Sequence, residues 1–439
     1  WNQVCNGGMG MTALAIADTH PELAGNVLWY VLRLLPLAMR SYAPDGAWAE
    51  GLAYWSYGGD YNVQFIAAMQ SAMGTDFGLA DLPGFNQTGY YPIHLTGPTG
   101  LAFNFADASG QLRIASPISL WLAKRFSAPL MAKSYLARPR AGVLDLLWYD
   151  PAVASQARET SFASLPRDHH FRQADLFAFR SSWEDPDALF IAFKAGSNQI
   201  SHAHLDLGSF VLDAMGQRWA IDPGTDRYEL PGYFKTQRWT YYRVRTESHN
   251  TLLFNPAAKP GQHLRATAKV LAFETSNDGS RAWATLDLTA AYAGQSPAPK
   301  KVYRTFTRIA DQAIEMLDDI APARDASDRP VPTAAWWLMH TPARAELLDQ
   351  GRVALLELQG KKLRVRIDSP ASVRFTASPA GPLDTSPNPP GQAGNAGITR
   401  LAIDLSQALA QGDVLLRVIF EPLPDESASL PAHKSDTSQ

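Results

Sequence analysis

Three of the chain's ten histidines fall between Ser201 and Asn250, with an aspartate among them. The stretch opens with Ser201-His202-Ala203-His204-Leu205-Asp206 and passes through Trp219-Ala220-Ile221-Asp222-Pro223-Gly224. It closes with Thr246-Glu247-Ser248-His249-Asn250-Thr251. Imidazole nitrogen and carboxylate oxygen are donors that zinc accepts, typically four in a tetrahedron. Around them lie Tyr228, Tyr233, Tyr241, Tyr242, Arg238, Arg243 and Arg245. Phenols can pass protons and guanidiniums can grip carboxylates. Residue types and spacing together describe a metal-braced site acting on an anionic ligand.

The His-x-His pair alone supports more than one reading. On a strand, residues two apart share a face, so His202 and His204 could both reach one ion. Gly196, followed after five residues by His202-Ala203-His204, also matches the first half of a cupin metal motif. The second half, a later Pro-x-Gly-x-x-His, is missing. A hydrogen-bonded histidine pair in a sheet is the plain alternative. Asp222 and His249, each in β-prone context, tip the balance toward a metal or catalytic site.

The elements that must position these residues fall into two textures. Residues 1 to about 135 read as helices, notably Met11–Asp18, Pro21–Met39 and Tyr61–Met73. Leu23, Val27, Tyr30, Val31, Leu34 and Leu35 recur at helical spacing. Asn6-Gly7-Gly8, Pro44-Asp45-Gly46 and Gly97-Pro98-Thr99-Gly100 are expected to be loops. From about 170 short β-prone runs take over: 189–193, 209–212, 251–254, 301–306, 314–317, 353–358, 363–367 and 414–420. Turn signals between them predict a large antiparallel sandwich. Ala377–Gly397 is expected to be a long surface loop, and the chain after Pro424 a polar, disordered tail.

A chain of 439 residues is too long for one ordinary core. The expected organisation is a helical unit over 1–150, a sandwich over 165–423 and a tail over 424–439. A formal net charge of −3 gives no global field that would recruit nucleic acid, so attraction for an anion must be local. The single cysteine, Cys5, excludes an intrachain disulfide. Val27–Met39, the longest apolar run, is too short to span a bilayer and contains Arg33, so no membrane partner is expected. Helical patterning starts almost at Trp1, which reads as the start of a processed or N-terminally truncated chain.

Several of these segments together resemble a known family. Phe193-Lys-Ala-Gly-Ser197, Ser201-His-Ala-His-Leu-Asp-Leu-Gly-Ser-Phe210, Arg218-Trp-Ala-Ile-Asp-Pro-Gly224 and Glu247-Ser-His-Asn-Thr251 resemble the heparinase II/III-like domain of polysaccharide lyases. Asn2-Gln-Val-Cys-Asn-Gly-Gly8 and Glu50-Gly-Leu-Ala-Tyr-Trp-Ser-Tyr-Gly58 are similar to motifs in the helical toroid of heparinase II and its relatives. The resemblance implies a multidomain α + β fold: an incomplete (α/α) toroid followed by an antiparallel β-sandwich, with the cleft between them. It implies β-elimination on a uronic-acid-containing polysaccharide, giving a 4,5-unsaturated product.

Carried over residue by residue, the resemblance makes His202 the catalytic histidine. His204, Asp222 and His249 become ligands of a structural Zn2+. A bulge would then separate two histidines that ordinary strand spacing keeps together. Tyr57 matches the catalytic tyrosine, with Tyr54 and Tyr61 as neighbouring alternatives, although aromatic residues on a helix usually serve packing. Tyr233 corresponds to a second active-site tyrosine. Asn2 and Gln3 stand where relatives place the amide or imidazole that neutralises the uronate carboxylate; Gln3 in place of histidine is a departure. An acidic polysaccharide or oligosaccharide is the implied partner. The implied location is periplasmic or secreted, and a homodimer is allowed. Two other classes remain open at the level of sequence: a cupin-like enzyme whose metal reacts, and a non-catalytic glycan-binding protein of the same fold.

Overall fold

The structure, a computed structural model, describes residues 1–256 and 259–424; the expected polar tail from residue 425 lies outside the described residues. The helices come first. They are α1 (Asn2–Ala15), α2 (Pro21–Met39), α3 (Leu52–Met73), α4 (Tyr90–His94), α5 (Ile118–Arg125), α6 (Pro129–Leu136), α7 (Val143–Trp148) and α8 (Pro151–Glu159). Pro21 opens α2 at its first turn, where a missing N–H costs nothing, and Gly74 closes α3 in the left-handed conformation.

Asn6-Gly7-Gly8, expected to be a loop, lies inside α1. The reason is non-local. A Cβ on Gly7 would stand 2.7 Å from the Tyr61 carbonyl oxygen, and one on Gly10 would stand 2.3 Å from the Phe65 ring. Absent side chains let α1 lie directly against α3, and that contact outweighs the poor helix propensity of glycine.

Strands follow from residue 169. A five-stranded sheet runs in the order β1 (His169–Phe171), β2 (Leu176–Arg180), β3 (Phe190–Lys194), β4 (Phe210–Ala214) and β5 (Gln217–Ala220), every pair antiparallel. Its near-continuous apolar runs have a clear cause, since both faces are covered. Leu176, Ala178, Phe190, Ala192 and Val211 join the core of the helical region. Phe177, Phe179, Ile191, Phe193, Phe210 and Leu212 point the other way, into the core shared by the later strands. This sheet is the floor on which both halves of the molecule stand.

The remaining strands are β6 (Leu252–Phe254), β7 (Lys269–Thr275), β8 (Arg281–Asp287), β9 (Lys301–Ile309), β10 (Ala313–Ala321) and β11 (Ala335–Thr341). They continue with β12 (Arg344–Leu348), β13 (Val353–Leu358), β14 (Lys361–Ser369), β15 (Phe375–Pro379), β16 (Thr399–Asp404) and β17 (Val414–Leu423). They form an eight-stranded sheet, β12-β13-β14-β17-β10-β9-β8-β7, and a four-stranded sheet, β15-β16-β11-β6. Alternating burial along β8 and β14 shows one face inward and one outward, as an antiparallel sandwich requires. All eight β-prone runs predicted from sequence are strands, and β1, β2, β5, β7, β8, β11, β12, β15 and β16 lie outside those runs.

Two connections leave this scaffold to build the site: residues 195–209 between β3 and β4, and residues 221–251 between β5 and β6. Both are short of strand and α-helix, and the stretches next to the sheets, 203–209 and 241–251, are almost entirely buried. Their backbone groups therefore need side-chain partners. Arg304 of β9, fully buried and paired with Asp318 at 2.7 Å, donates to the carbonyls of Gly208 and Asn250. Asn250 in turn donates to the carbonyls of Phe210 and Ile221. One arginine and one asparagine thus tie both connections to the sheets.

Candidate active site

Ser201–Asp206 is not a strand. His202 has a φ of 63°, a left-handed conformation that a non-glycine residue adopts only under constraint. The turn sends the histidines to different places. His204 goes into the interior, completely buried, while His202 stays at the wall of a cavity with its side chain 15% exposed. The same-face geometry expected for a strand is therefore corrected by the backbone itself.

In the interior, ligand atoms of His204, Asp222 and His249 all lie within 4.8 Å of one another. His204 Nδ1 and His249 Nε2 are buried without hydrogen-bond partners. An unpaired buried imidazole nitrogen costs about 1–3 kcal/mol unless something fills its lone pair. The two orphaned nitrogens and the adjacent carboxylate fit a divalent cation, and zinc takes this donor set. Burial drives His204 toward its neutral form, against the pull of Asp107. Burial opposes charge on His249 too, but the carboxylate of Asp222, 2.7 Å from Nδ1, raises its pKa above the usual value.

Asp107 joins the interior to the cavity. One of its oxygens lies 2.9 Å from His202 Nδ1, and the other lies 3.0 Å from His204 Nε2. The second oxygen also accepts from Tyr233, Thr225 and Arg238. Burial alone would favour the acid form. The hydrogen bonds from His202 and His204, with the charge of Arg238, hold this carboxyl well below the usual range. No sequence signal marked Asp107: it lies in Phe105-Ala-Asp-Ala108, 95 residues before His202. The loop carrying it is fixed by an antiparallel bridge from Ser109 to Gly224 and by Asn104 donating to the Asp222 carbonyl.

The cavity has a volume of about 1150 Å³ and opens between α3 and the two buried connections. Tyr54 of α3 stacks on His202 with ring centroids 4.0 Å apart and hydrogen-bonds Tyr228 through its hydroxyl. Burial raises the pKa of both phenols. Tyr57 also lines the cavity but is 46% exposed, its ring against the edge of Tyr61. The phenol beside His202 is thus Tyr54, the neighbouring alternative, because one helical turn carries Tyr57 away from His202.

The other expected residues separate as well. Tyr233 is buried behind the cavity wall, its hydroxyl on Asp107 and Thr225. Gln3 is buried against α3, donating to the Tyr42 hydroxyl. Asn2 donates to the Leu34 carbonyl, and neither amide lines the cavity. Arg238 and Lys235 do line it. Arg238 and Arg243 sit on short 3-10 turns, Arg245 lies between two of them, and all three point inward to carbonyls and carboxylates. His94 lies away from the cavity, buried and stacked on His169 with ring centroids 4.0 Å apart.

The profile of the heparinase II/III-like C-terminal domain matches residues 163–399, more than half of the chain. The chain belongs to the heparinase II/III-like family. No curated protein sequence matches it. Solved structures share this heparinase fold at low identity. The heparan sulfate lyase HepC of Pedobacter heparinus, crystallised as a mutant, is 13% identical with a TM-score of 0.69, over 94% of this chain and 59% of that one. A structure of heparinase III is 13% identical with a TM-score of 0.71, over 96% of this chain and 61% of that one. The chain therefore spans about three fifths of the length of these heparinase structures.

Proposed function

We propose that this chain is a polysaccharide lyase that cleaves a uronic-acid-containing polymer by β-elimination. The observation that carries the proposal is the stacked Tyr54–His202 pair in one open cavity, with His202 anchored on Asp107. Elimination needs a base for the C5 proton and an acid for the C4 oxygen, both within reach of one sugar. As the C5–H bond breaks, its electron pair forms the C4–C5 double bond, the C4–O bond breaks, and the leaving oxygen takes a proton. Burial keeps the Tyr54 phenol protonated, which suits it to supply that proton while the His202 imidazole receives the other. On the opposite C5 epimer the proton leaves from the other face while the C4 oxygen keeps its place, so the epimer decides which of the two groups lies nearest the C5 proton. Tyr228 supports the phenol by hydrogen bonding in either state.

The C5 proton is acidified only when the adjacent carboxylate is neutralised. With Asn2 and Gln3 directed elsewhere, Arg238 and Lys235 are the cationic side chains that line the cavity. Arg238 Nη1 is buried with no partner, as a group reserved for a ligand oxygen would be. His204, Asp222 and His249 would hold a structural zinc ion, which when bound supplies a tie between the two connections and no reacting centre. Asp107 on His204 Nε2 orients the free Nδ1 toward that centre. The helices α1–α6 are read as part of an incomplete (α/α) toroid, and the substrate class places the enzyme in the periplasm or outside the cell.

The test is ultraviolet absorbance with a panel of uronate polymers, because elimination creates a conjugated double bond that hydrolysis cannot. Absorbance should rise on one polymer and vanish in Tyr54→Phe and His202→Ala. Silence of the folded, zinc-loaded protein on every sulfated and unsulfated member would sink the lyase reading.

A further inference from the structure

A second cavity, of about 320 Å³, lies between the turn Gly97–Gly100, the helices α5 and α6, and the end of β2. It shares no lining residue with the active-site cavity. Arg113, Arg138 and Arg180 all line it. Arg180 is buried, and its Nε has no hydrogen-bond partner. Its guanidinium is held in place by donation to the carbonyls of His94 and Thr96 and by stacking 3.5 Å from the Trp183 ring. Burial weakens its hold on the proton, lowering its pKa to about 9. Arg113 and Arg138 meet over Gly100. The Nη1 atoms of Arg138 and Arg113 lie 1.4 and 2.6 Å from the point where a Cβ on that glycine would stand.

Among the described residues none of these three arginines is ion-paired with a carboxylate. The two carboxylates whose charges act on Arg180 serve other partners: Asp213 is bound to Arg218, and Asp168 to Arg308. Two guanidiniums side by side repel, and a third, buried and helped only by the charges of Asp213 and Asp168 without a direct ion pair, is expensive to keep. Nature's usual answer to converging arginines is an oxyanion that accepts from several forks at once. The hydroxyls of Ser119 and Ser134 line the same cavity and can complete the acceptor's shell.

We propose that this cavity is a binding site for a sulfate or phosphate group, separate from the active site. A tetrahedral oxyanion matches the set, because its three or more oxygens can accept from guanidiniums approaching from different sides. A carboxylate has two coplanar oxygens, and would leave part of the set unanswered. The fixed Arg180 sets the deep end, and the two exposed arginines close over the outer end. The proposal does not depend on the lyase reading.

Thermal unfolding and titration calorimetry of the full chain with sodium sulfate and sodium phosphate, against sodium chloride at matched ionic strength, test it. Sulfate or phosphate should raise the unfolding midpoint in a saturable way that chloride does not reproduce. Arg113→Ala/Arg138→Ala, which alters exposed side chains only, should weaken binding at least tenfold. His202→Ala should leave it unchanged, since the active-site cavity is not involved. N-acetylglucosamine 6-sulfate distinguishes the sources. Tighter binding than inorganic sulfate assigns the site to a sulfate ester on a glycan, and equal binding assigns it to the free anion. A response no different from chloride, or one undiminished in the double variant, would overturn the proposal.

Discussion

His202 and His204 stand two positions apart and meet the two oxygens of the same carboxylate, yet they belong to different regions. The interior cluster of His204, Asp222 and His249 is closed to solvent and tied into the sheets through Asn250 and Arg304. The cavity wall of His202, Tyr54 and Tyr228 is open, and its rings are held by stacking and one hydroxyl contact. The first region is arranged to be rigid and the second to be reached. What divides them is a single residue of left-handed backbone, and what rejoins them is Asp107. Proton chemistry needs access as well as position, and a buried cluster supplies position without obstructing access.

The comparison breaks most visibly where each region is removed alone. Tyr54→Phe and His202→Ala should each lower kcat/KM by roughly 10²–10⁴-fold, the usual worth of a positioned acid or base. Their urea midpoints should stay close to the parent's. His249→Ala should do the reverse in kind. It strands the Asp222 carboxylate in the interior, at a cost of about 3–5 kcal/mol in urea unfolding. A catalytic variant that unfolds as early as His249→Ala would show that the two regions are one. Asp107→Asn crosses the boundary. Equilibrium dialysis should find zinc held about 10–100-fold more weakly, since an oriented outer carboxylate is lost. The same variant should lose turnover, because His202 loses its anchor.

Sequence reading reached the interior cluster and the strand runs, and it failed where long-range geometry decides. Short β-prone runs located β3, β4, β9 and β17, because burial in a sheet leaves a local mark in composition. Nothing local shows that His202 adopts a positive φ, so spacing alone left the two histidines equivalent and only the family resemblance gave them different roles. Asp107 was invisible for a simpler reason. Its role depends on Ser109 bridging to Gly224, a pairing between residues far apart in the chain. The glycines of α1 misled in the same way, since their value lies in the approach of α3 and not in their own propensity. Motif matching narrowed the tyrosine to one helix, but only the facing ring of His202 separates Tyr54 from Tyr57.

A smaller effect concerns the junction between the helices and the five-stranded sheet. His94 and His169 stack there, and burial lowers both pKa values, His169 from 6.5 to about 4. Between those values the unfolded chain binds the proton that the folded chain refuses. Stability is therefore full above about pH 6.5 and declines as pH falls through 4, by on the order of 2 kcal/mol for His169 after allowance for its partial exposure. Urea midpoints at pH 7 and 4.5 measure the decline, and His169→Phe should flatten it. An unchanged slope in that variant would assign the acid sensitivity elsewhere.

The smallest expected effect sharpens the comparison furthest. Tyr57 shares α3 and the cavity with Tyr54, and differs in facing Tyr61 instead of His202. If proximity to His202 defines the proton-handling phenol, Tyr57→Phe removes one exposed hydroxyl and should change kcat/KM less than about threefold, within the range of a weak solvent-exposed contact. Its main influence should fall on KM, through contact with sugar units beside the scissile bond. A loss in kcat as large as that of Tyr54→Phe would mean that α3 rotates when substrate enters, bringing Tyr57 to the reacting carbon. The open region would then differ from the closed one in mobility as well as in exposure, and Asp107 would be anchoring a wall that moves.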